Sequence, residues 1–232
     1  MDIGSTAFWL ALLEIIWVNI LLSGDNAVII ALAARSLPET QQNRAIALGS
    51  AAAIALRIVL TLVAAELLLL PWLKTVGAVL LVYIGVNLLL PEAEGDGPAR
   101  QHGNLWSAVR TILIADLVMS LDNVVAVAAA AHDSIVLLVL GLLISIPLVI
   151  FGSTLLLKVI ERLPILVWLG AALLGYIAGE MLVGDPALVD SIDRFSISAH
   201  LSHHQFALLA GALGALLVLS LGKIFLKRVQ TD

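Results

Sequence analysis

Long apolar runs constrain the fold of this chain more than any other sequence feature. Seven runs can be read, at residues 7–34, 44–70, 72–90, 105–131, 135–158, 164–184 and 205–225. Each reaches or exceeds the roughly 20 residues that a helix needs to cross about 30 Å of hydrocarbon. Because 61% of the residues are hydrophobic and only 12% are charged, a soluble domain of this length could not cover so much apolar surface. The sequence predicts a chain embedded in lipid.

The runs are predicted to be helices. They lack the two-residue alternation of a barrel strand, and lipid offers no hydrogen bonds to an open backbone. The predicted fold class is therefore an all-α integral membrane protein with seven transmembrane helices. The first run is longer than the apolar part of a cleaved signal and has no basic leader, so we expect it to be retained. The chain has no cysteine, which excludes disulfides and thiolate metal sites.

Basic residues indicate the orientation of the chain. If the N-terminus lies outside, nine basic residues flank the cytoplasmic ends of the spans: Arg35, Arg44, Arg100, Arg110, Lys158, Arg162, Lys223, Lys227 and Arg228. The opposite face carries only Lys74 and Arg194. By the positive-inside rule, the N-terminus is predicted outside and the C-terminus inside. The net charge of -5 is small and dispersed, so no nucleic-acid partner is expected.

The chain contains an internal duplication. In the first half Asn19, Ser23, Asp25 and Asn26 stand 97 residues before their counterparts in the second, which are Asp116, Ser120, Asp122 and Asn123. Further along, Pro71, Gly77 and Tyr83 recur after 93 residues as Pro164, Gly170 and Tyr176. Three helices per half is an odd number, so the second copy enters the membrane from the opposite side. Such inverted repeats are typical of secondary transporters, whose binding sites lie where the repeats meet.

The duplication defines the predicted organisation of the chain. Residues 1–90 form the first three-helix repeat, and residues 91–104 form a cytoplasmic linker rich in Pro, Gly and acidic residues. Residues 105–184 form the second repeat, residues 185–204 an outer loop, and residues 205–232 a seventh helix with a cytoplasmic tail.

Acidic and amide side chains inside the predicted spans are the candidate functional residues. They are Asp25, Asp116 and Asp122, with Asn19, Asn26 and Asn123 beside them. An Asp near the bilayer centre costs about 2.5 to 3.5 kcal/mol on insertion. A structural bundle could use Ser and Thr for its interhelical hydrogen bonds at lower cost. The pattern therefore favours a functional role for these residues.

The depths of these residues indicate a path across the membrane. Asn19 and Asp116 lie near the midpoints of their spans. At 1.5 Å per residue, Asp25 lies about 9 Å nearer the cytoplasm, and Asp122 a similar distance nearer the outside. Gly24 makes a break in the first helix plausible, whereas Leu121 makes a break in the fourth less so. This staggered arrangement is typical of a permeation path rather than of a catalytic pocket.

Ligand chemistry indicates the class of substrate. The predicted spans offer carboxylate, amide, hydroxyl and carbonyl oxygens near the Asp-Asn pairs, without imidazole or thiolate. Such sites suit Mg²⁺, Ca²⁺ and Mn²⁺, whereas Zn²⁺, copper and Ni²⁺ normally recruit His or Cys. Oxygen chemistry alone does not choose among the three ions. No resident cofactor is predicted.

Other polar groups have more than one interpretation. Arg57, at the middle of the second predicted helix, is expected to pair with a carboxylate, either as a fixed structural pair or as a cation that holds an acid while the site is empty. Glu14 is either an outer ligand or a snorkelling residue, and Glu66 and Glu180 near outer helix ends are expected to snorkel. The outer-loop histidines, either a metal site or simply solvated, are His200, His203 and His204.

The motifs SGDNAVII and SLDNVVAV, on the first helices of two three-helix halves, resemble those of the TerC family within the LysE-like transporter superfamily. The resemblance covers about residues 7–225 and implies Mn²⁺ export or homeostasis in a bacterial inner (plasma) membrane. In some members it also implies supply of metal to exported metalloproteins, with a link to secretion machinery. The residues that match the family's metal motif are Asp25, Asn26, Asp122, Asn123 and Asp116. Asn19 is an amide where members often carry an acid, and this departure leaves ion selectivity open.

Two other functions match parts of the sequence. Export of small amino acids is known in the wider superfamily, although a path with three Asp suits a cation better. Two membrane aspartates with the tripeptide starting at Pro186 resemble intramembrane aspartyl proteases, but the G-x-G-D form is absent before Asp25. We therefore expect no enzyme activity. The chain has no G-x-x-x-x-G-K-[ST] phosphate loop, so a proton or ion gradient is the expected energy source.

Overall fold

The computed structural model describes residues 6–67, 70–90, 104–130, 134–189, 191–192, 194 and 202–231. The helices described within these residues are α1 Thr6–Leu22, α2 Gly24–Ala34, α3 Glu39–Leu67, α4 Leu73–Leu89, α5 Leu105–Ala130, α6 Ile135–Arg162, α7 Ile165–Val183 and α8 His203–Thr231. The described residues contain no strand, so the predicted all-α class is confirmed for them. The predicted linker up to residue 103, His200 and much of the outer loop lie outside the described residues.

Several helices have the length and apolar character needed to cross a membrane. Within the described residues these are Glu39–Val63, Ile135–Arg162, Ile165–Val183 and His203–Arg228. The broken pair α1 and α2 adds a fifth span if the two helices are counted together. At 17 residues, α4 rises about 25 Å, which is short of the hydrocarbon thickness. The multi-pass membrane class is confirmed, whereas the count of seven spans stays a prediction.

The first predicted span is broken, as the sequence suggested. α1 and α2 are bent by 49° around Ser23, which has non-helical backbone angles. α2 restarts with a hydrogen bond of 2.9 Å from the Ala27 N–H to the Ser23 carbonyl. A break of this kind frees carbonyls at the end of one helix and N–H groups at the start of the next. The counterpart of Gly24, Leu121, lies within the continuous helix α5, so the two halves differ here.

Two compact units make up the chain, and each takes helices from both sequence halves. The first comprises Met1–Ala65 with Pro98–Arg162, and the second comprises Glu66–Gly97 with Leu163–Asp232. The first two helical segments of each predicted repeat thus belong to one unit, and the third helix of each repeat belongs to the other. The repeats, whose boundaries stay a prediction, are therefore not the packing units.

The core of the first unit is built from large aliphatic side chains of α1 and α6. Ile15 and Leu142 are fully buried there, in a cluster that also includes Ile54 of α3 and Val127 of α5. A Cβ placed on Gly141 of α6 would lie 2.4 Å from the Cγ2 atom of Ile15. Glycine at this position therefore makes room for the isoleucine and fixes the approach of α1 to α6.

The second unit is held by a close approach of α7 and α8. A Cβ on Gly175 would lie 2.3 Å from the carbonyl oxygen of Gly214, and one on Gly179 would lie 2.1 Å from that of Ala210. Backbones can approach this closely only where small residues line both helices, which is a common way for helices to associate in lipid. α4 packs against α7 within the same unit.

A buried carboxylate joins the end of α7 to the start of α4. Asp185 is fully buried and accepts hydrogen bonds from the N–H of Trp72 at 3.0 Å and from the N–H of Thr75 at 2.8 Å. The Thr75 hydroxyl and the Ala187 N–H also donate to Asp185, at 2.9 and 2.8 Å. Burial alone would raise the pKa of Asp185, but these hydrogen bonds outweigh it and hold the pKa below its ordinary value. The first residue of the predicted outer loop is therefore a structural anchor.

Candidate functional site

A buried polar cluster in the first unit is centred on Arg57 of α3. The residue is 2% exposed. Its Nη2 atom forms an ion pair with Oδ1 of Asp116 on α5, which confirms that Arg57 pairs with a carboxylate. Its Nε atom donates to the hydroxyl of Ser120 at 3.0 Å. Its Nη1 atom donates to Oδ1 of Asn19 at 2.8 Å and to the hydroxyl of Ser23 at 3.3 Å.

Equivalent residues of the two sequence halves meet at this guanidinium. Asn19 and Ser23 come from the first half, and Asp116 and Ser120 are their counterparts 97 residues later. Each pair bonds to a different part of the Arg57 head group. The duplication inferred from sequence therefore coincides with a convergence in space. Asn19 and Asp116, predicted near the midpoints of their spans, are bridged by a single side chain.

Within each pair the serine also bonds to its partner four residues earlier. The Ser120 hydroxyl donates to Oδ2 of Asp116 at 3.2 Å, and the Ser23 hydroxyl lies 3.5 Å from Oδ1 of Asn19. Both serines thus accept from Arg57 and donate within their own pair. The four-residue spacing predicted that each serine lies on the same helical face as its partner. The bend at Ser23 does not disrupt this arrangement. The Nδ2 atom of Asn19 has no hydrogen-bond partner in the described part of the chain.

The Asp25–Asn26 pair lies in the first turn of α2. The Asn26 N–H donates to Oδ1 of Asp25 at 2.8 Å. Asn26 is buried and Asp25 is half-buried, and the charges of Arg57 and Asp116 both act on the Asp25 carboxyl. The N-terminal end of a helix favours a negative charge, so the break in the first span provides a suitable place for this carboxylate.

The second Asp-Asn pair lies in the C-terminal half of the unbroken helix α5. Asn123 is half-buried, whereas the Asp122 side chain lies outside the described residues. Asp122 follows Asp116 by six residues, which is about 9 Å along a helix axis. Of the six predicted residues, Asn19 and Asp116 are brought together by Arg57. Asp25 lies close enough for the charges of Arg57 and Asp116 to act on its carboxyl group. The metal-binding role of all six residues stays a prediction.

The oxygen atoms of the cluster are of the types that bind hard cations. Carboxylate, amide and hydroxyl oxygens face Arg57, and these are the ligand types of Mg²⁺, Ca²⁺ and Mn²⁺. Among the described side chains, no group of three or more His, Cys, Asp or Glu is placed to hold a metal ion. A cation at this cluster would therefore depend on neutral oxygen ligands in addition to its carboxylates.

Four features of the structure were not predicted from the sequence. No sequence pattern indicated that Arg57 would bind both halves at once, because its acceptors lie on other helical segments. Asp185 was predicted only as part of the outer loop. Two serines, Ser50 and Ser153, are buried with hydroxyls that have no hydrogen-bond partner among the described residues. Glu180, predicted to snorkel, accepts a hydrogen bond of 3.0 Å from the Tyr176 hydroxyl.

The long apolar helices, the broken first span and the buried polar cluster define a multi-pass integral membrane protein with an oxygen-rich interior site. Comparison of the sequence with known families agrees with this class. Residues 4–231 match the integral membrane protein TerC family, and the chain belongs to that family. The family predicted from the SGDN and SLDN motifs is thereby confirmed.

Relatives of this chain include membrane proteins of Bacillus subtilis. It is 45% identical over 181 residues to the uncharacterized membrane protein YjbE of Bacillus subtilis (strain 168), covering 78% of this chain and 83% of that protein. It is 28% identical over 170 residues to YceF of the same organism, covering 69% and 66%. It is 25% identical to the UPF0053 protein YegH of Escherichia coli (strain K12), covering 71% and 35%. No solved structure matches the chain.

Proposed function

We propose that this protein is a secondary transporter that exports divalent metal cations, with Mn²⁺ as its main substrate. The observation that carries the proposal is the buried set of oxygen acceptors that matching positions of both halves present to one point. In this proposal the ion passes Asp25 and Asn26, then Asn19 and Asp116, then Asp122 and Asn123. The ion is cargo, and the protein has no resident cofactor and no catalytic residues.

Electrostatics supports a cation rather than an amino acid as the cargo. A buried carboxylate is costly unless it is paired, and Asp116 is 5% exposed. Arg57 balances only one of the two negative charges of Asp25 and Asp116, so the cluster keeps a net negative charge that attracts a cation. Hard ions accept the remaining amide and hydroxyl oxygens as ligands. Family membership supports the choice of Mn²⁺, through the resemblance of the two Asp-Asn motifs.

The transport mechanism follows from the proposed topology. The chain has seven spans, arranged as two inverted repeats and an added helix, and it belongs to the LysE-like transporter superfamily. The distribution of basic residues places the N-terminus outside and the C-terminus inside. Rocking of inverted repeats exposes a central site to each side in turn. Protons compete with metal ions for carboxylates, so exchange of the ion for protons is the natural coupling. No phosphate loop is present in the sequence for ATP-driven transport.

The setting of this activity is proposed from the relatives. Relatives from Bacillus, which are membrane proteins, and from Escherichia support a bacterial inner membrane, with the lipid bilayer as the immediate partner. By family resemblance, secretion machinery or exported metalloproteins are proposed partners, since an exporter delivers metal where these proteins are loaded.

Transport by the purified protein in lipid vesicles tests the proposal. We expect a metal-sensitive dye enclosed in the vesicles to report Mn²⁺ movement with the wild-type protein. Vesicles without protein should show no Mn²⁺ movement. Labelled lysine, Ca²⁺ and Mg²⁺ are run in parallel. Movement of Ca²⁺ or Mg²⁺ without Mn²⁺ would change the proposed substrate to that ion. Movement of lysine alone would contradict metal export and favour amino-acid export. In cells, expression in a Mn²⁺-sensitive strain is expected to lower total manganese and raise tolerance.

A further inference from the structure

The guanidinium of Arg57 lies among the kind of atoms that a hard metal ion binds. Its described side-chain hydrogen bonds all go to oxygen: an amide oxygen, two hydroxyls and a carboxylate. The acceptor residues are Asn19, Ser23, Ser120 and Asp116. All four are buried. A cation that entered this cluster would need the same oxygen atoms that the guanidinium already holds.

Arg57 itself is not part of the duplication. At the 93-residue offset its counterpart in α6 is Ile150. The same offset relates Thr61 to Thr154, and each of these hydroxyls donates at 2.8 Å to the carbonyl four residues earlier, that of Arg57 or Ile150. The shared hydrogen bond supports this alignment of α3 with α6. Because the second copy has an aliphatic residue at this position, the repeat does not need an arginine there to form its helix.

We propose that Arg57 is a tethered counter-cation, which holds Asp116 and Asn19 while the path is unloaded and gives them up to the incoming divalent cation. This role rests on the proposed transport function. A guanidinium and a divalent ion cannot share one buried carboxylate without strong repulsion between like charges. Without either cation, Asp116 would be an isolated buried charge. Exchange of one cation for the other keeps the carboxylate paired in both states.

Competition of this kind has a direct consequence for transport. A site that must release its ion on the far side cannot bind it too tightly, and Arg57 lowers the affinity by offering Asp116 an alternative partner. The Asn19 amide is also suited to exchange, because its Nδ2 atom has no hydrogen-bond partner within the described residues. Among the described residues, rotation of that amide therefore breaks the contacts of its oxygen with Arg57 and Ser23 and no others.

Thermal unfolding of the purified full-length protein, with and without Mn²⁺, tests this role. The proteins compared are the wild type, Arg57→Gln, and the double variant Arg57→Gln/Asp116→Asn. Without metal, Arg57→Gln should unfold at a lower temperature than the wild type, because Asp116 has lost its partner. Mn²⁺ should stabilise Arg57→Gln more than it stabilises the wild type, with an apparent affinity about tenfold higher. The double variant has no unpaired carboxylate at position 116. It should therefore show neither the lower unfolding temperature without metal nor the larger stabilisation by Mn²⁺.

The competing explanation is a fixed structural ion pair, and it gives different results. If Arg57→Gln is destabilised equally with and without Mn²⁺ while the double variant is restored, Arg57 is a structural partner only and the proposal is overturned. The same holds if Arg57→Gln does not fold even when it is expressed and purified in Mn²⁺ but the double variant does.

The wild type separates this role from the proposed function. A wild type that neither transports nor is stabilised by Mn²⁺, Ca²⁺ or Mg²⁺ overturns cation transport, and the role of Arg57 with it. A wild type that transports Mn²⁺, combined with an Arg57→Gln variant that shows no enhanced response, overturns only the role of Arg57. In vesicles, Arg57→Gln should also move Mn²⁺ more slowly than the wild type, because release becomes limiting.

Discussion

The carboxylate of Asp185 accepts both the backbone and the hydroxyl hydrogen bond of Thr75, although 110 residues separate them. This contact fixes the end of α7 against the first turn of α4. We expect Asp185→Ala to destabilise the protein by roughly 1.5 to 3 kcal/mol, the range for hydrogen bonds to a charged group. Thr75→Val, which removes only the hydroxyl bond, should cost about 1 kcal/mol. Chemical unfolding in detergent measures both, and equal stability of Asp185→Ala and wild type would contradict the anchoring role.

The same carboxylate predicts how stability depends on pH. The pKa of Asp185 is lower in the folded protein than in the unfolded chain, because its hydrogen bonds outweigh burial. Its contribution is therefore fully present above the unfolded pKa of about 3.9 and is lost as pH falls through the folded pKa. We expect the stability difference between wild type and Asp185→Asn to be constant above about pH 5 and to shrink below about pH 4. If the stability difference instead grows as the pH falls, the pKa of Asp185 is not lowered in the folded protein.

A second structural prediction concerns the contact between α7 and α8. Gly179→Ala would place a methyl group 2.1 Å from a backbone carbonyl oxygen, so the helices must separate. We expect a loss of about 1 to 3 kcal/mol. The control is Gly152→Ala in α6, where a Cβ meets nothing within 4 Å. That change should be neutral or stabilise the protein by up to about 1 kcal/mol through helix propensity. Similar melting temperatures for the two variants would exclude the proposed contact.

Much of this architecture was accessible from the sequence, because the membrane limits the options. Apolar length predicted the helical class, and Gly24 indicated that the first span could be broken. The paired motifs predicted which residues of the two halves would correspond. The role of Arg57 was left open because a sequence does not show which acceptors a long side chain reaches. The Asp185 anchor was missed because an acidic residue after a helix is usually solvated, and only its position against Trp72 and Thr75 shows otherwise.

Substitutions in the Asp-Asn pairs test the proposed path. Asp25→Ala and Asp122→Ala should each abolish Mn²⁺ transport, since each removes a charged ligand. Asn26→Ala and Asn123→Ala should weaken transport by less, because each removes one neutral oxygen. Asp185→Asn serves as the carboxylate control, and it should retain transport per folded molecule. The measurement is Mn²⁺ flux in vesicles at matched protein content, and wild-type flux from Asp25→Ala or Asp122→Ala would remove that residue from the path.

The last prediction concerns alternating access along the same path. Ala27 and Val124 lie beside the two Asp-Asn pairs, and both side chains are buried, at 7% and 2% exposure. Because the chain has no cysteine, Ala27→Cys and Val124→Cys give single labelling sites. A membrane-impermeant thiol reagent should reach residue 27 mainly from the cytoplasm and residue 124 mainly from outside, since the two pairs are proposed to lie on opposite sides of the midplane. Opening toward one side closes the other. Mn²⁺ or a change in pH should therefore change the two labelling rates in opposite directions. Equal labelling of both sites from one face, unaffected by metal or pH, would rule out alternating access through this path.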